Sequence, residues 1–379
     1  MTPPGICILS TVHLCFDVRM FQAEARTLAR AGFAVTLIAL EDPTPSETEG
    51  IRILAQPRPR HRLQRMLSTL RVVWLARSQP VGLYAFHDPE LLPAAVLLKL
   101  LTGRQLVYDV HEDVPAAIRS RPWLPRPLRP LVARLYPLLE GLALPFVDGL
   151  TLADHAYQKY YQGRRTLTAL NYPLMTYAGL YEERQPGGRP TLVYAGSITA
   201  LRGLYEMIEL VRRLRPAFPD LLLRLVGPVG SPAEQIRARE LITRHDLGAH
   251  IEFTGLVSHL EVHRHLLNAD VGLALLHPDP NYVNSLPTKM FEYMMMGRPV
   301  VVSNFPMWAQ IVAAAGCGFA PDPLDLDAVE KVLRRLLEDA DLRREMGRRG
   351  RAAVLEQYSW EKEGERLVEF YRALLKADG

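Results

Sequence analysis

A chain of 379 residues, 48% hydrophobic and 23% charged, has the composition of a globular protein and the length for two cores rather than one. Its 45 Lys and Arg against 41 Asp and Glu leave a formal charge of +4, too small to argue for a nucleic-acid partner. Three cysteines (Cys7, Cys15, Cys317) form neither a CxxC pair nor a metal-ligand spacing, so a reduced, cytoplasmic compartment is expected.

No apolar run reaches about 18 residues, so no membrane-crossing helix is expected. The start, MTPPGICILS, has no basic stretch ahead of its short apolar run, unlike a signal peptide. In chain order, strands are predicted at Ile6–Ser10, Val35–Leu40, Gly82–Phe86, Gln105–Val110 and Gly149–Leu152. Helical periodicity lies between them at Met20–Ala31, Arg62–Arg77, Glu90–Leu101 and Leu128–Leu144. Continuous apolar strands alternating with helices predict βαβ units and a parallel sheet covered on both faces. From Asn171 to Pro190 turn formers accumulate, and the stretch reads as a linker. The alternation then restarts with strands TLVYAG, LLLRLVG, HIEFTG, VGLALL and RPVVVSN, and helices beginning near Leu204, Pro232, His259 and Pro287. The fold class is therefore α/β: two Rossmann-like, doubly wound parallel-sheet domains, 1–170 and 171–360, with ligands at the carboxyl ends of their strands. A closing amphipathic helix, 361–379, is long enough to pack back on the first domain.

A dinucleotide dehydrogenase fails a simple check. After Ile6–Ser10 the chain reads TVHLCFDVRMF, without GxGxxG, and GSITALRG after the second domain's first strand departs from it too. That turn still brings Gly196, Ser197, Thr199 and Arg202 to a helix start. Ser197 and Thr199 suit helix caps. Arg202 beside Gly203 suits an anion, because its planar fork grips phosphate oxygens. The most informative stretch is YVNSLPTKMFEYMMMGRPVVV, Tyr282 to Val302. Pro287 at the first helical position and Gly297 past the last mark a helix Pro287–Met296, whose N-terminus is a ready phosphate site. Lys289 and Glu292 ride on one side of it. Glu292 amid Met290, Phe291, Met294 and Met295 suits gripping sugar hydroxyls. The same spacing also describes an ordinary amphipathic helix with one solvated Glu.

The blocks AFHDPELLPAAVLLKLLTGRQLVYDVHED, YAGSITALRG, IEFTGLV, LPTKMFEYMMMGRPVVVSNFP and YSWE follow one another over nearly the whole chain. In that combination the chain resembles the retaining glycosyltransferases of family 4, the group 1 glycosyltransferases. They have the GT-B architecture of two Rossmann-like domains facing each other across a cleft. The resemblance implies a nucleotide-sugar donor (UDP-, GDP- or ADP-sugar) held mainly by the second domain and a glycan or lipid-linked acceptor held by the first. It implies hexosyl transfer with retention, in cell-surface polysaccharide or glycoconjugate synthesis. Glu292 matches the second Glu of the family's E-x7-E element, a ribose ligand. The first Glu falls on Asn284, which puts the carboxylate contact to the donor sugar in question, although an amide still donates and accepts. Arg202 stands near a phosphate-binding Lys, and Val257 at a position whose backbone contacts the base. Ser285 and Leu286 lie in the loop whose amides face the diphosphate or sugar. His111 matches the first-domain His that points toward the donor sugar, with Glu112 and Asp113 adjoining as acceptor-side candidates. The family's glycine-rich loop after the first strand is absent, and Asp17 and Arg19 stand there as further acceptor-side candidates. His87-Asp88-Pro89-Glu90 reads as structural, with Asp88 a helix cap and Pro89 at the first position.

The expected chemistry is electrostatic, with Arg202, Lys289 and helix N–H dipoles stabilising the departing nucleoside diphosphate. A front-face route, in which the leaving phosphate takes the acceptor proton, needs no protein nucleophile. No metal or other cofactor is expected, and Asp325-Leu326-Asp327 reads as a cap for a helix carrying Val329, Leu333, Leu336 and Leu337. Pro57–Ser78 and Arg119–Leu139 are Arg-rich, with Trp74, Trp123 and Tyr136 interleaved. They suit peripheral docking on anionic lipid at the cytoplasmic membrane face, or solvated helices whose Arg stems cover the core. Two rivals stay open. A nucleotide-sugar epimerase of similar architecture needs no acceptor, and a non-catalytic binding subunit would bind donor without transfer.

Overall fold

Strand runs without polar interruption, such as Ile6–Leu9 and Leu37–Leu40, are buried and pair in parallel, as a sheet covered on both faces requires. The computed structural model describes residues 4–42, 48–120, 124–184 and 187–376. The chain forms two units, Met1–Asn171 with Trp360–Gly379, and Tyr172–Ser359.

The first unit contains β1 (Gly5–Leu14), β2 (Ala34–Leu40), β3 (Arg52–Gln56), β4 (Leu83–Phe86), β5 (Gln105–Val110), β6 (Gly149–Leu152) and β7 (Thr166–Thr168). They lie in the order β3-β2-β1-β4-β5-β6-β7. β3 and β7, absent from the predicted strands, are the two edges; RILAQ and TLT are short and partly polar, so neither makes an apolar run. The order reverses at β1, where Ile8 pairs with Leu37 on one side and Ala85 on the other. Ligand crevices of doubly wound sheets open at the carboxyl end of such a reversal. A π-helical turn, Val18–Ala25, runs into α1 (Arg26–Arg30), followed by α2 (Arg62–Arg77), α3 (Leu92–Thr102), α4 (Val114–Ser120) and α5 (Arg129–Ala143). Of the aromatics read as lipid-facing, Trp74 is exposed and Trp123 lies outside the described residues. Tyr136 faces inward instead, its hydroxyl 3.2 Å from that of Tyr108 and donating to Glu140 at 3.1 Å.

The second unit repeats the winding as β10-β9-β8-β11-β12-β13. Its strands are β8 (Thr191–Ala195), β9 (Leu222–Val226), β10 (Ile251–Gly255), β11 (Val271–Ala274), β12 (Val300–Val302) and β13 (Gly318–Phe319). Its helices are α6 (Leu204–Leu214), α7 (Pro232–Arg244), α8 (His259–Leu267), α9 (Pro280–Val283), α10 (Thr288–Met295), α11 (Pro306–Ala315), α12 (Leu326–Glu338) and α13 (Ala340–Glu356). The stretch read as a linker is part of this unit, apart from Asn171 and from Gln185 and Pro186, which lie outside the described residues. Ala178 is buried and its carbonyl accepts from Arg351, Glu182 O accepts from Arg298, and Arg184 pairs with Asp270 at 2.8 Å. Tyr293 fixes α10 over the sheet: its hydroxyl accepts from Ala195 N and donates to Leu273 O.

Trp360 starts α14 (Trp360–Lys376), which belongs to the first unit. The indole Nε1 donates to Thr27 Oγ1 at 2.9 Å, and Glu363 accepts from Leu170 N. A side chain at Gly149 would come within 2.8 Å of Phe370, so the helix lies hard against the sheet.

Candidate functional site

β8 ends in Tyr194 and Ala195, and Gly196 follows at φ +125°, an angle that suits glycine. A Cβ placed there would lie 3.4 Å from Lys289 Nζ and 3.8 Å from Arg202 Nη1. Two cations therefore converge over one peptide turn, at the point where the second sheet's order reverses. Arg202 reaches it from a 3-10 turn closed by Gly203, whose φ is +79° and where a Cβ would meet Leu275 O at 2.3 Å. Its Nε donates to Tyr282 Oη and its Nη1 to Ser197 O, both at 3.4 Å. Lys289, in the first turn of α10, donates to Tyr194 Oη at 3.3 Å and sits 4.7 Å over that ring. Neither cation has a carboxylate at ion-pair distance among the described residues. Burial and the Arg202 charge pull the Lys289 ammonium down to about 7, with Glu292 pulling the other way. Such a pair of charges favours an anion between them.

The helix ends agree. Pro287 is the cap residue of α10 rather than its first helical residue, and contributes no side-chain hydrogen bond. Gly203 is the cap residue of α6, likewise without one. Ser197 and Thr199 thus do not cap α6; Ser197 uses its carbonyl to hold Arg202 and Tyr194. Leu204 N is taken by Thr199 O and Met290 N by Pro287 O, and the other N–H groups of the two first turns suit phosphate oxygens. Glu292 is partly buried next to fully buried Phe291 and Tyr293. Burial raises its pKa, opposed by His259 and Lys289. Asn284 is exposed at the end of α9, and Ser285 O accepts from Trp308 Nε1 at 2.6 Å. Leu286 and Val257 rest against the core from separate loops. Asp325 caps α12, accepting from Ala328 N at 3.0 Å, and Asp327 pairs with Arg213.

The first unit carries a polar cluster at the carboxyl ends of β1, β4 and β5. Asp109, the one charge in strand QLVYDV, accepts from Arg19 Nε at 2.9 Å, Arg19 Nη2 at 2.7 Å and Thr151 Oγ1 at 2.7 Å. Arg19 Nη1 donates to Ala169 O and Asn171 Oδ1. Every guanidinium nitrogen is therefore engaged within the unit, and the acceptor-side reading of Arg19 is corrected to a core ion pair. Asp17, partly exposed, caps the π-helical turn with one carboxylate oxygen, which accepts from Arg19 N and Met20 N. Burial would lower the His87 pKa, but Glu24 and Asp109 outweigh it and push it up to about 10. His87, Asp109 and His111 bring ligand-type atoms within 4.8 Å of one another. The Arg19 fork already pairs with both oxygens of Asp109, so this carboxylate sits in an ion-pair core. His111, partly exposed, stands at the end of β5 with Nδ1 3.6 Å from Asp109. Asp113 accepts from Ala116 N at 3.0 Å and Tyr160 Oη at 3.1 Å, with Glu112 beside it. Asp88 starts a 3-10 turn but caps nothing with its side chain; its carboxylate braces the end of β1. Sequence reasoning missed Tyr194, which accepts from Lys289. Asp109 alone had left a signal, a lone acid inside an apolar strand.

Two family models match the chain: Glycosyl transferases group 1 over residues 181–353 and Glycosyl transferase 4-like domain over residues 18–168. Among characterised relatives, the MMP alpha-(1->4)-mannosyltransferase of Mycolicibacterium hassiacum is 25% identical over 75% of this chain and 69% of its own length. The GDP-mannose-dependent alpha-(1-6)-phosphatidylinositol monomannoside mannosyltransferase of Mycolicibacterium smegmatis is 28% identical over 48% of each chain, so the match spans about half of that relative. Sucrose-phosphate synthase from Thermosynechococcus elongatus superposes with a TM-score of 0.75 at 18% identity, covering 99% of this chain and 100% of that one. HepE of Anabaena, solved with UDP and glucose, gives 0.74 at 16% identity, covering 98% and 100%. With both halves matched and the fold shared along its length, the chain belongs to the group 1, family-4-like glycosyltransferases of GT-B fold.

Proposed function

We propose that this glycosyltransferase takes a sugar from a nucleotide-sugar donor and transfers it, with retention, to a glycan or lipid-linked acceptor in cell-surface polysaccharide or glycoconjugate synthesis. One observation carries the donor reading: Lys289 and Arg202 converge over Gly196 without a carboxylate partner, beside two helix N-termini free of side-chain caps. Electrostatic stabilisation of a departing diphosphate needs that arrangement, and one well-placed donor lowers a barrier by about 3 kcal/mol. Glu292 lies on the same helix for the ribose, and Asn284, Ser285, Leu286 and Val257 border the strand ends from neighbouring loops. Tyr194 and Tyr282 orient the two cations. With the phosphates neutralised by side chains, transfer is metal-independent.

The acceptor reading rests on the first unit, where α2, α3 and α5 expose Leu and Met beside Arg. An enzyme carrying such a face works at the cytoplasmic side of a membrane, although no helix among the described residues is long and apolar enough to cross one. The tests are a thermal-shift panel of UDP, GDP and ADP with their sugars and an assay of donor hydrolysis in excess EDTA. A ligand at about 100 times its Kd stabilises by roughly 2.7 kcal/mol. One base should stand out and donor turnover should survive EDTA. A flat panel would sink the donor reading, and loss of turnover restored by Mg²⁺ or Mn²⁺ would sink metal independence.

A further inference from the structure

At the amino ends of β11 and β12, the edge of the second sheet opposite Gly196, lies a pocket of about 400 Å³ that opens to solvent. Four guanidinium groups line it, those of Arg184, Arg298, Arg343 and Arg344, against two carboxylates, Asp270 and Glu183. Asp270 is 9% exposed and already taken: it accepts from Arg184 Nε at 2.8 Å, Arg184 Nη2 at 3.0 Å and Thr191 N at 2.8 Å. Arg298 is 3% exposed and has no carboxylate at ion-pair distance among the described residues. Its Nε, Nη1 and Nη2 donate to the carbonyls of Met296, Ala269 and Glu182, at 2.8, 3.2 and 2.9 Å. Those bonds use three of its five N–H groups and bring no counter-charge, and a buried charge without one is costly.

Arg343, near the start of α13, keeps one edge unused. Its Nη1 donates to Leu336 O and Leu337 O. Nε and Nη2 make no hydrogen bond among the described residues, and neither is a buried orphan atom. Asp270 lies 3.8 Å from that Nε, beyond hydrogen-bond reach. Arg344 pairs with Asp341 and stands 3.9 Å from Glu183, so the lining stays short of negative charge. Burial and the Arg184 charge pull the Arg298 pKa down to about 10, and burial lowers that of Arg343 against the pull of Asp270. α10 separates this place from the donor cations: Lys289 is in its first turn, and Gly297, which lines the pocket, lies past its other end. Eight helical residues span about 12 Å.

We propose that this pocket is a second anion site, which takes a phosphate group, free or as a monoester, on the Nε–Nη2 edge of Arg343 with Arg298 and Arg344 lining the same space. That edge of a guanidinium grips two oxygens of a tetrahedral oxyanion at once. A phosphate held there joins the start of α13 to the turn that closes α10, and supplies the charge that Arg298 lacks.

The test is calorimetry on the full chain with inorganic phosphate and with glucose 6-phosphate, in chloride buffer of fixed ionic strength. It uses a Lys289→Met/Arg202→Gln background, which removes the two donor-site cations. At least one probe should still bind, one per chain. Binding of inorganic phosphate identifies a free-phosphate site, and binding of glucose 6-phosphate alone a monoester site. Adding Arg343→Gln should weaken the binding roughly ten- to a hundredfold, and Arg343→Lys should restore only part of it, because an ammonium keeps the charge without the fork. Wild-type crystals soaked in tungstate decide the matter where a variant does not fold, since the anomalous peak should lie within hydrogen-bond distance of Arg343 Nε and Nη2. No binding of either probe on the donor-site background, binding indifferent to Arg343→Gln, or tungstate beside Lys289 and Arg202 alone overturns the second site. The donor reading fails separately, by loss of nucleotide binding in the wild type.

Discussion

Lys289 links donor binding to pH. Its ammonium titrates at about 7 in the free protein, held down by burial and by Arg202, whereas a diphosphate binds its charged form. At pH 7 about half of that charge is in place, and well below pH 7 nearly all of it. Above it, binding must take up a proton, so nucleotide affinity should fall by up to about tenfold per pH unit. Calorimetry in two buffers of different ionisation heat should find close to one proton taken up at pH 8, and Lys289→Met should abolish that uptake. No uptake in the wild type would mean that Lys289 stays charged and faces elsewhere. Glu292 and Asn284 separate by substrate instead. If Glu292 holds the ribose, Glu292→Gln weakens nucleotide and nucleotide-sugar alike, roughly ten- to a hundredfold, because hydrogen bonds to a charged group contribute about 1.5–3 kcal/mol. Asn284→Ala should spare bare nucleotide and lower transfer or sugar discrimination. Unaltered UDP and GDP binding by Glu292→Gln would return α10 to a purely structural role. Lys289 and Glu292 were legible because helical spacing put them together. Tyr194 was not, since an aromatic in a buried strand looks like core.

At the scale of elements, long apolar strands and Gly- or Pro-bounded helices were readable because local pattern and tertiary burial agree there. Edge strands β3 and β7 and the stretch after Asn171 escaped because long-range contacts, not composition, order them. α13 shows how such contacts reverse a local preference. Within a helix, Gly347→Ala gains roughly 1 kcal/mol from propensity alone. Here a Cβ at Gly347 would lie 2.1 Å from Gly297 O, in the turn that closes α10. Moving backbone to relieve overpacking costs about 1–3 kcal/mol or more, so the clash wins. Gly347→Ala should lower the midpoint of thermal unfolding and weaken nucleotide binding, since α10 carries Lys289 and Glu292. An unchanged or higher midpoint would show that α13 can shift freely against α10.

At the scale of the whole molecule, the first unit's surface departs from that of an ordinary soluble domain. On α5, Leu131, Leu135, Leu138 and Leu142 are all exposed, and their spacing places them in one helical stripe. α3 adds Leu97, Leu100 and Leu101, and α2 adds Met66, Leu67, Leu70 and Trp74, the last 62% exposed. α3 packs against both α2 and α5, so these side chains belong to neighbouring helices. Exposed apolar patches of this kind mark interaction surfaces, and exposed Arg71, Arg77, Arg104 and Arg134 stand on or beside the same helices. Exposed apolar side chains and Arg on the same helices match an anionic bilayer better than a protein partner, because headgroups supply the charge while acyl chains take the leucines. Vesicles of phosphatidylglycerol and phosphatidylcholine should therefore bind the chain, less tightly as salt rises, since exposed charges are screened within about 8 Å at physiological ionic strength. The double variant Leu138→Glu/Leu142→Glu should lose most vesicle binding while keeping its thermal midpoint, because both side chains are already in water in the free protein. Equal sedimentation of variant and wild type with these vesicles, or wild-type binding indifferent to lipid charge and salt, would remove the membrane from the functional reading.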